Sequence, residues 1–477
     1  MIRREITEAL KTRFKKAGQA HVFDFYEDLD DQEKNILINQ LSSIDLEVLE
    51  DQITYHISEK KGIDKYSYDW DSLKPSSYIR LPENGGPIEA WESAQIEGER
   101  AIRSGRVAAF TVAGGQGTRL GFDGPKGMLP VTVVSKKSLF EVFADKIMRS
   151  NQRYDVAIPW FIMTSEINHQ STIDAFESNN YFGLKKDLVR FFPQALFPAV
   201  DFNGKIIMEA KNSIARSPNG HGGAFKALVD SGAIEKMKDL GVDIISYFQI
   251  DNPLIPCIYP TFIGFHLSNQ SELSSKMIPK AYPLEKVGIF CEYNGKNIVI
   301  EYSDMPKEIQ EKIDSNGEIL YRAGSVAIHL FDREFVECLG ACSKQDSLPY
   351  HKAIKKIPYV DRSGMNQLPN KENGIKFEMF VFDALVKASK SIIIEGLRND
   401  NFSPIKNRKG VDSLDTCKED LLQQSLRWLE ACGLLLDNKK GRKIEINYRF
   451  AMDKDDFIHQ WSCLKNKPSL KDGVIIE

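Results

Sequence analysis

Long apolar runs are missing from this sequence. No stretch of about 18 uncharged apolar residues occurs, which excludes a helical membrane span. A charge excess is missing too: 63 lysines and arginines face 67 aspartates and glutamates, a formal charge of −4. That balance lacks the basic footprint of a nucleic-acid-binding protein, although a net charge does not register a few cations gathered around a small anion. Cysteine is sparse: seven residues, an odd number, with no CxxC pair. Neither a disulfide framework nor a zinc site is expected, and a reducing, cytoplasmic setting is. The opening MIRREITEALKTRFKKAG has no apolar core of a secretory signal, and Glu5 and Glu8 make it read as a surface helix.

What is present is an ordinary globular composition, with 42% apolar and 27% charged residues over 477 positions. That length suits two to four domains, or one large α/β domain with appendages. Residues 1–104 read as a helical N-terminal region, with apolar residues at three- and four-residue spacing in ITEALKTRF, EKNILINQLSSI and DLEVLEDQITYHI. Residues 105–395 alternate short β-branched and aromatic runs (RVAAFTVA, AIPWFIMT, DIISYFQI, NIVIEY) with amphipathic helices such as SLFEVFADKIMRS and GGAFKALVDSGAIEKMKDLG. This alternation predicts an α/β fold with a mostly parallel sheet. Residues 396–477 form a small C-terminal region, with a polar loop, a helix over LDTCKEDLLQQSLRWLEACGLLL and a short strand in KIEINYRFAM.

One segment carries chemistry. AAFTVAGGQGTRLGFDGPKGMLPV runs from an apolar strand into a glycine-rich loop holding two cations. Gly114, Gly115 and Gly117 let backbone N–H groups approach an anion, and Arg119 and Lys126 supply charge suited to phosphate oxygens. It is neither of the two common phosphate loops. Leu120 stands where GxGxxG needs glycine, and Lys126 lies between Pro125 and Gly127, outside a Walker A pattern. Ser138 and Glu141 have capping-box spacing at the head of the next helix.

The loop AGGQGTRLGFDGPKG resembles the signature of the UTP-dependent sugar-1-phosphate uridylyltransferases, closest to the UDP-N-acetylglucosamine pyrophosphorylases and their bacterial relatives. The likeness continues in order through FFPQALFPAVDFNGKIIMEAKNSIA, PNGHGGAFKAL, YFQIDNPL, GIFCEYNGKNIVIEYSD, RAGSVAIHLF, KFEMFVFDAL and FSPIKN. It implies a Rossmann-like nucleotide-diphospho-sugar transferase domain that converts UTP and a sugar 1-phosphate into a UDP-sugar and pyrophosphate. N-acetylglucosamine 1-phosphate is the sugar phosphate it favours, and no nucleic-acid or membrane partner is expected.

The resemblance also distributes roles. Arg119, Lys126 and Lys406 would act on the phosphates. Gly114, Gly115, Gly117, Gln194, Gly220 and His221 would hold the nucleotide, with Gln194 on the uracil edge. Gly288, Glu301, Ser325, Phe380 and Phe382 would face the sugar, and Asp251 would hold Mg²⁺. Two positions depart from the N-acetylglucosamine branch: Ser325 and His221 stand where it usually has asparagine. Glucose 1-phosphate, or a broad range of sugar 1-phosphates, therefore stays open as the substrate. A dehydrogenase or NTPase is disfavoured by the failed loop patterns. A non-catalytic UDP-sugar binder would be expected to have lost Arg119, Lys126 or Asp251.

Overall fold

A computed structural model describes residues 2–58, 68–342, 347–434 and 441–477. They form two compact units, each assembled from separated stretches of chain. The larger unit comprises Asp69–Pro193, Ala224–Ala341 and Ala384–Glu477. It is built on a ten-stranded sheet, whose strands in chain order are β1 (Lys74–Pro75), β2 (Val107–Val112), β3 (Trp160–Thr164), β4 (Val189–Pro193), β5 (Ile244–Gln249), β6 (Leu273–Pro279), β7 (Gly288–Tyr293), β8 (Lys296–Ile300), β9 (Ala323–Asp332) and β10 (Ser391–Glu395). Strands β5, β2, β3 and β4 lie side by side in parallel. β2 and β3 are fully or nearly fully buried along their length, as a doubly covered parallel strand must be. The other half of the sheet joins through β9, which pairs antiparallel with β5, β6 and β7.

The amphipathic segment after the glycine loop forms the helix Leu139–Tyr154, started by the expected capping box of Ser138 and Glu141. Its apolar face buries Phe140 and Phe143 against a cluster with Trp160, Phe176 and Phe248. Each such side chain contributes about 1.5–3 kcal/mol by burial. The expected helix over 222–241 is instead two helices, Ala224–Asp230 and Ala233–Asp239, separated at Gly232, whose φ of +71° stops the first. The helix expected in the C-terminal region runs Leu414–Ala431, and the end of its expected span lies outside the described residues; a further helix, Lys454–Cys463, follows it. Ile444–Ile446 supplies the expected short strand.

The smaller unit comprises Met1–Tyr68, Gln194–Gly223 and Cys342–Asp383. The expected N-terminal helices are present as Ile2–Lys16, Asp31–Ser42 and Leu46–Ile53. They do not stand as a separate N-terminal region. Leu10, Phe14, Leu37, Leu41 and Leu49 share a core with Phe197, Val200, Ile206 and Phe377. A three-stranded antiparallel sheet of Tyr350–Lys355, Gly374–Met379 and Val200–Asp201 completes this unit. The contiguous boundaries at 104/105 and 395/396 do not coincide with this division. Such long-range pairing leaves no trace in local periodicity. Among the described residues, no helix is long and apolar enough to cross a membrane.

Two glycines set one helix crossing in the larger unit. A Cβ on Gly98, in the helix Ile88–Arg103, would collide with the Pro260 carbonyl oxygen, and one on Gly264, in the helix Pro260–Ser268, with the Ala94 carbonyl oxygen. On propensity alone, alanine at either position would add about 1 kcal/mol. Here Gly98→Ala is expected to destabilise by about 1–3 kcal/mol, read as a lowered denaturation midpoint.

Candidate active site

The parallel register places the first half of the site. Gln249 of β5 pairs with Val112 of β2, so the loop beginning at Ala113 and the turn carrying Asp251 leave the sheet from adjacent strands, at their carboxyl ends. Ligands of open α/β sheets bind at this edge. The loop is shaped from below by Asn168, a buried residue with no place among the sequence expectations. Its Nδ2 donates to the carbonyl oxygens of Ala113 (2.9 Å) and Gly115 (3.2 Å), while its Oδ1 accepts from the Ser165 N–H at 2.8 Å. Those carbonyls are thereby consumed. Among the described residues the N–H groups of Gly114 and Gly115 have no partner.

The three loop glycines differ in purpose. A Cβ on Gly115 would meet only the Lys126 side chain, at an ordinary 3.8 Å, so the protein's own packing does not require glycine there. That leaves room for close approach by a ligand. Gly117 is different: its N–H donates to the Gly124 carbonyl (2.9 Å), and a Cβ would press on Phe122. Within the fold Gly117 shapes the loop, and its own N–H is already engaged. Arg119 sits on the exposed turn Thr118–Leu120 and makes no ion pair among the described residues.

Lys126 is not a free loop cation. Its Nζ donates to Asp251 Oδ2 at 2.8 Å, and both side chains are 15% exposed. Asp251 follows β5 and is braced by Lys146, wholly buried in the helix Leu139–Tyr154. The Lys146 amine reaches the carbonyls of Pro253 (2.5 Å) and Ile255 (2.9 Å) and lies over the Tyr448 ring. Burial pushes that amine down to about 8. The loop carrying Lys406 docks on the same turn, because the Ile405 N–H donates to the Asp251 carbonyl at 2.9 Å. Asp412 lies in the electrostatic range of both Lys406 and Asp251, and burial raises its carboxyl pKa. Glycine loop, Lys126, Asp251 and Lys406 therefore come together. Among the described residues no set of three or more His, Cys, Asp or Glu side chains is arranged for a metal. A single carboxylate at a strand end fits a hard divalent cation whose remaining ligands are phosphate oxygens and water.

Three sugar-side candidates also converge in the larger unit. Gly288 pairs with Ser325 across β7 and β9, and Ile289 pairs with Ile300, just before Glu301. A Cβ on Gly288 would lie 2.8 Å from Val299, 3.4 Å from Glu301 Oε1 and 3.7 Å from the Ser325 Cβ. Beyond Ser325, β9 bulges at Ala327, which adopts φ +55°. The bulge lets one strand pair with β5 at one end and β7 at the other.

The remaining candidates belong to the smaller unit. The amide nitrogen of Gln194 donates to Asn219 Oδ1 (2.9 Å) and to the Gly220 carbonyl, so only its Oε1 is left to accept from a ligand. Gly220 has φ +84° and backs onto the Met379 backbone. His221 Nδ1 accepts the Val381 N–H at 3.0 Å, which fixes the Nε2–H tautomer. Its ring rests on Phe380, 5.4 Å between centroids, and near Phe382 at 5.9 Å. His351, held by Asp383 at 2.8 Å, packs on Phe380 at 4.5 Å. His221, Phe380 and Phe382 thus form one cluster, to which sequence reasoning did not assign His351 or Asp383.

Burial, with the neighbouring His351 charge a smaller cause, pushes His221 from 6.5 down to about 4. A depressed folded pKa means that the unfolded chain takes up the proton first. Stability is therefore expected to decline as pH falls from about 6.5 towards 4. In His221→Gln this part of the decline should be missing from denaturation midpoints measured across that range.

The family model described as UTP--glucose-1-phosphate uridylyltransferase matches residues 56–460. The UDP-N-acetylhexosamine pyrophosphorylase-like protein 1 of Xenopus tropicalis is 34% identical over 464 residues, covering 94% of this chain and 90% of its own. The UDP-N-acetylglucosamine pyrophosphorylase of Saccharomyces cerevisiae is 33% identical, covering 98% and 99% respectively. The crystal structure of the Trypanosoma brucei uridine diphosphate N-acetylglucosamine pyrophosphorylase superposes with a TM-score of 0.81 at 26% identity, covering 99% of this chain and 98% of that one. By the family model and these relatives, the chain belongs to the UTP–sugar-1-phosphate uridylyltransferase family.

Proposed function

We propose that this protein transfers the uridylyl group of UTP to N-acetylglucosamine 1-phosphate, releasing pyrophosphate. The observation that carries the reading is the meeting of Lys126, Asp251 and the partner-free N–H groups of Gly114 and Gly115 at the edge of β2 and β5. A phosphate oxygen of the sugar 1-phosphate attacks the α-phosphorus of UTP in line. One P–O bond forms to that oxygen, the bond to the bridging oxygen breaks, and pyrophosphate leaves with the electron pair. No side chain need become covalently attached, so catalysis rests on positioning and on neutralising charge.

Each residue has a part in that scheme. Gly114 and Gly115 offer N–H groups to the nucleotide. Arg119, exposed and without an ion pair among the described residues, grips the departing pyrophosphate with its planar fork. Lys126 exchanges Asp251 for a non-bridging oxygen on the α-phosphate, and Lys406 meets the phosphate of the incoming sugar. Asp251 would hold Mg²⁺, which when bound supplies Lewis-acid neutralisation of phosphate oxygens. The lone free acceptor of Gln194 suits the imide N–H of uracil. Glu301 and Ser325 offer oxygens to sugar hydroxyls beside the gap left by Gly288.

A second reading, glucose 1-phosphate as acceptor, is favoured by Ser325, whose hydroxyl is shorter than an amide, and by His221, which has only its Nε2–H to offer. Pyrophosphate release from UTP and Mg²⁺ with N-acetylglucosamine, N-acetylgalactosamine, glucose and galactose 1-phosphates separates the two. The N-acetylglucosamine form is expected to lead. A lead for glucose would transfer the conclusion to the second reading, and no release with any sugar would leave a binder.

Arg119→Ala and Lys126→Ala are each expected to fold and to lose about 10²–10³ in kcat, by analogy with a lost oxyanion donor. A near wild-type rate in either would remove that residue from the mechanism. Asp251→Asn should shift the Mg²⁺ titration of activity to higher concentration, and an unchanged titration would refute its assignment.

A further inference from the structure

Lys276 is a charged residue in an apolar place. It lies in the middle of β6, 1% exposed, with its amine 4.0 Å from the Tyr259 ring centroid and 5.4 Å from that of Phe262. No carboxylate is within ion-pair distance among the described residues; burial pushes the amine down to about 7, against a smaller opposing pull from the Asp400 charge farther off. A buried amine with no carboxylate in ion-pair contact costs stability, so packing alone would be served as well by methionine.

What the amine does is donate to Asn401 Oδ1 at 2.9 Å. Asn401 is buried, and its Nδ2 is held by the Leu397 carbonyl at 2.7 Å. Its own carbonyl oxygen accepts from Asn252 Nδ2 at 2.7 Å. Asn252, also buried, uses its Oδ1 to accept the Ser403 N–H at 2.9 Å. Two residues further on, the Ile405 N–H donates to the Asp251 carbonyl at 2.9 Å. An unbroken hydrogen-bonded brace therefore runs from the sheet interior to the turn of Asp251 and the loop that ends in Lys406.

We propose that Lys276, acting through Asn401 and Asn252, is a positioning residue that holds Lys406 in register with Asp251. The inference rests on the reading of Lys406 and Asp251 given above. The amine donates whether or not it carries a proton, so the brace does not depend on its charge. Asn252 is the joint: one amide end fixes the chain entering the loop and the other fixes the helical turn Arg398–Asn401. A side chain that only filled space would need neither hydrogen bond.

The test uses Lys276→Met, Asn252→Ala, Lys406→Ala and the double variant Asn252→Ala/Lys406→Ala, all in the full chain. Lys276→Met is expected to keep or raise the thermal midpoint while lowering kcat about tenfold and leaving KM for UTP within about twofold, the pattern of a lost transition-state contact. Hydrogen exchange at the Ser403 and Ile405 amides should quicken about tenfold as the loop is released. The double variant should be no slower than Lys406→Ala alone, because both changes remove the same contribution. A kcat for Lys276→Met within twofold of wild type would overturn the proposal. Were that variant not to fold, a double variant whose loss equals the product of the two single losses would overturn it instead. Full activity in Lys406→Ala would take down the reading of Lys406 itself, a result distinguishable from the others.

Discussion

The parallel pairing of β5 with β2 is the constraint on which the phosphate side of the site depends. Gln249 beside Val112 brings two strand ends level, one continuing into the glycine loop and the other into the Asp251 turn. A slip of one residue would turn every buried side chain of β5 towards the opposite face. Both faces of β5 are buried, so the slip would force Ile244, Ile245, Tyr247 and Phe248 into packing layers shaped for other side chains. The same apolar contacts that stabilise the sheet thus fix the spacing between a cation, a carboxylate and two backbone N–H groups.

Polar groups at this edge are held by other polar groups, not by packing. Asn168 occupies the loop carbonyls, Lys146 occupies those after Asp251, and Asn252 anchors the chain leading to Lys406. Each is buried and multiply hydrogen-bonded, and so has one low-energy orientation. The reacting groups at the surface can then remain under-coordinated without the backbone relaxing around them. Lys126 and Asp251 neutralise one another in this arrangement, and that keeps an otherwise costly pair of partly buried charges tolerable.

Much of the larger unit was legible in the sequence because its signals are local. Four apolar runs became strands or parts of strands, Ser138 and Glu141 formed their capping box, and the glycine loop followed β2 as expected. What was not legible depends on partners far away in the chain. Asn168, Lys276 and Asn401 look like ordinary polar residues until their acceptors are known. Gly117 looks like its neighbours until Phe122 is seen against it. His221 carries no local sign of a structural bond, yet it receives the N–H of Val381, 160 positions later. The N-terminal helices read correctly as helices, but nothing in their periodicity says that their core is completed by Phe197 and Phe377.

That last arrangement has a cost during synthesis. The smaller unit takes its first helices from the start of the chain and a strand of its sheet from Gly374–Met379. His56 hydrogen-bonds to the Tyr350 carbonyl, 294 positions away. At translation rates of 5–20 residues per second, roughly 15–60 s separate the appearance of those two residues. Throughout that interval the apolar faces around Leu10, Phe14 and Leu41 wait without the strands that will cover them. A newly made chain must therefore be kept from sticking to its neighbours for most of its own synthesis, a demand set by the order of its segments and not by its final stability.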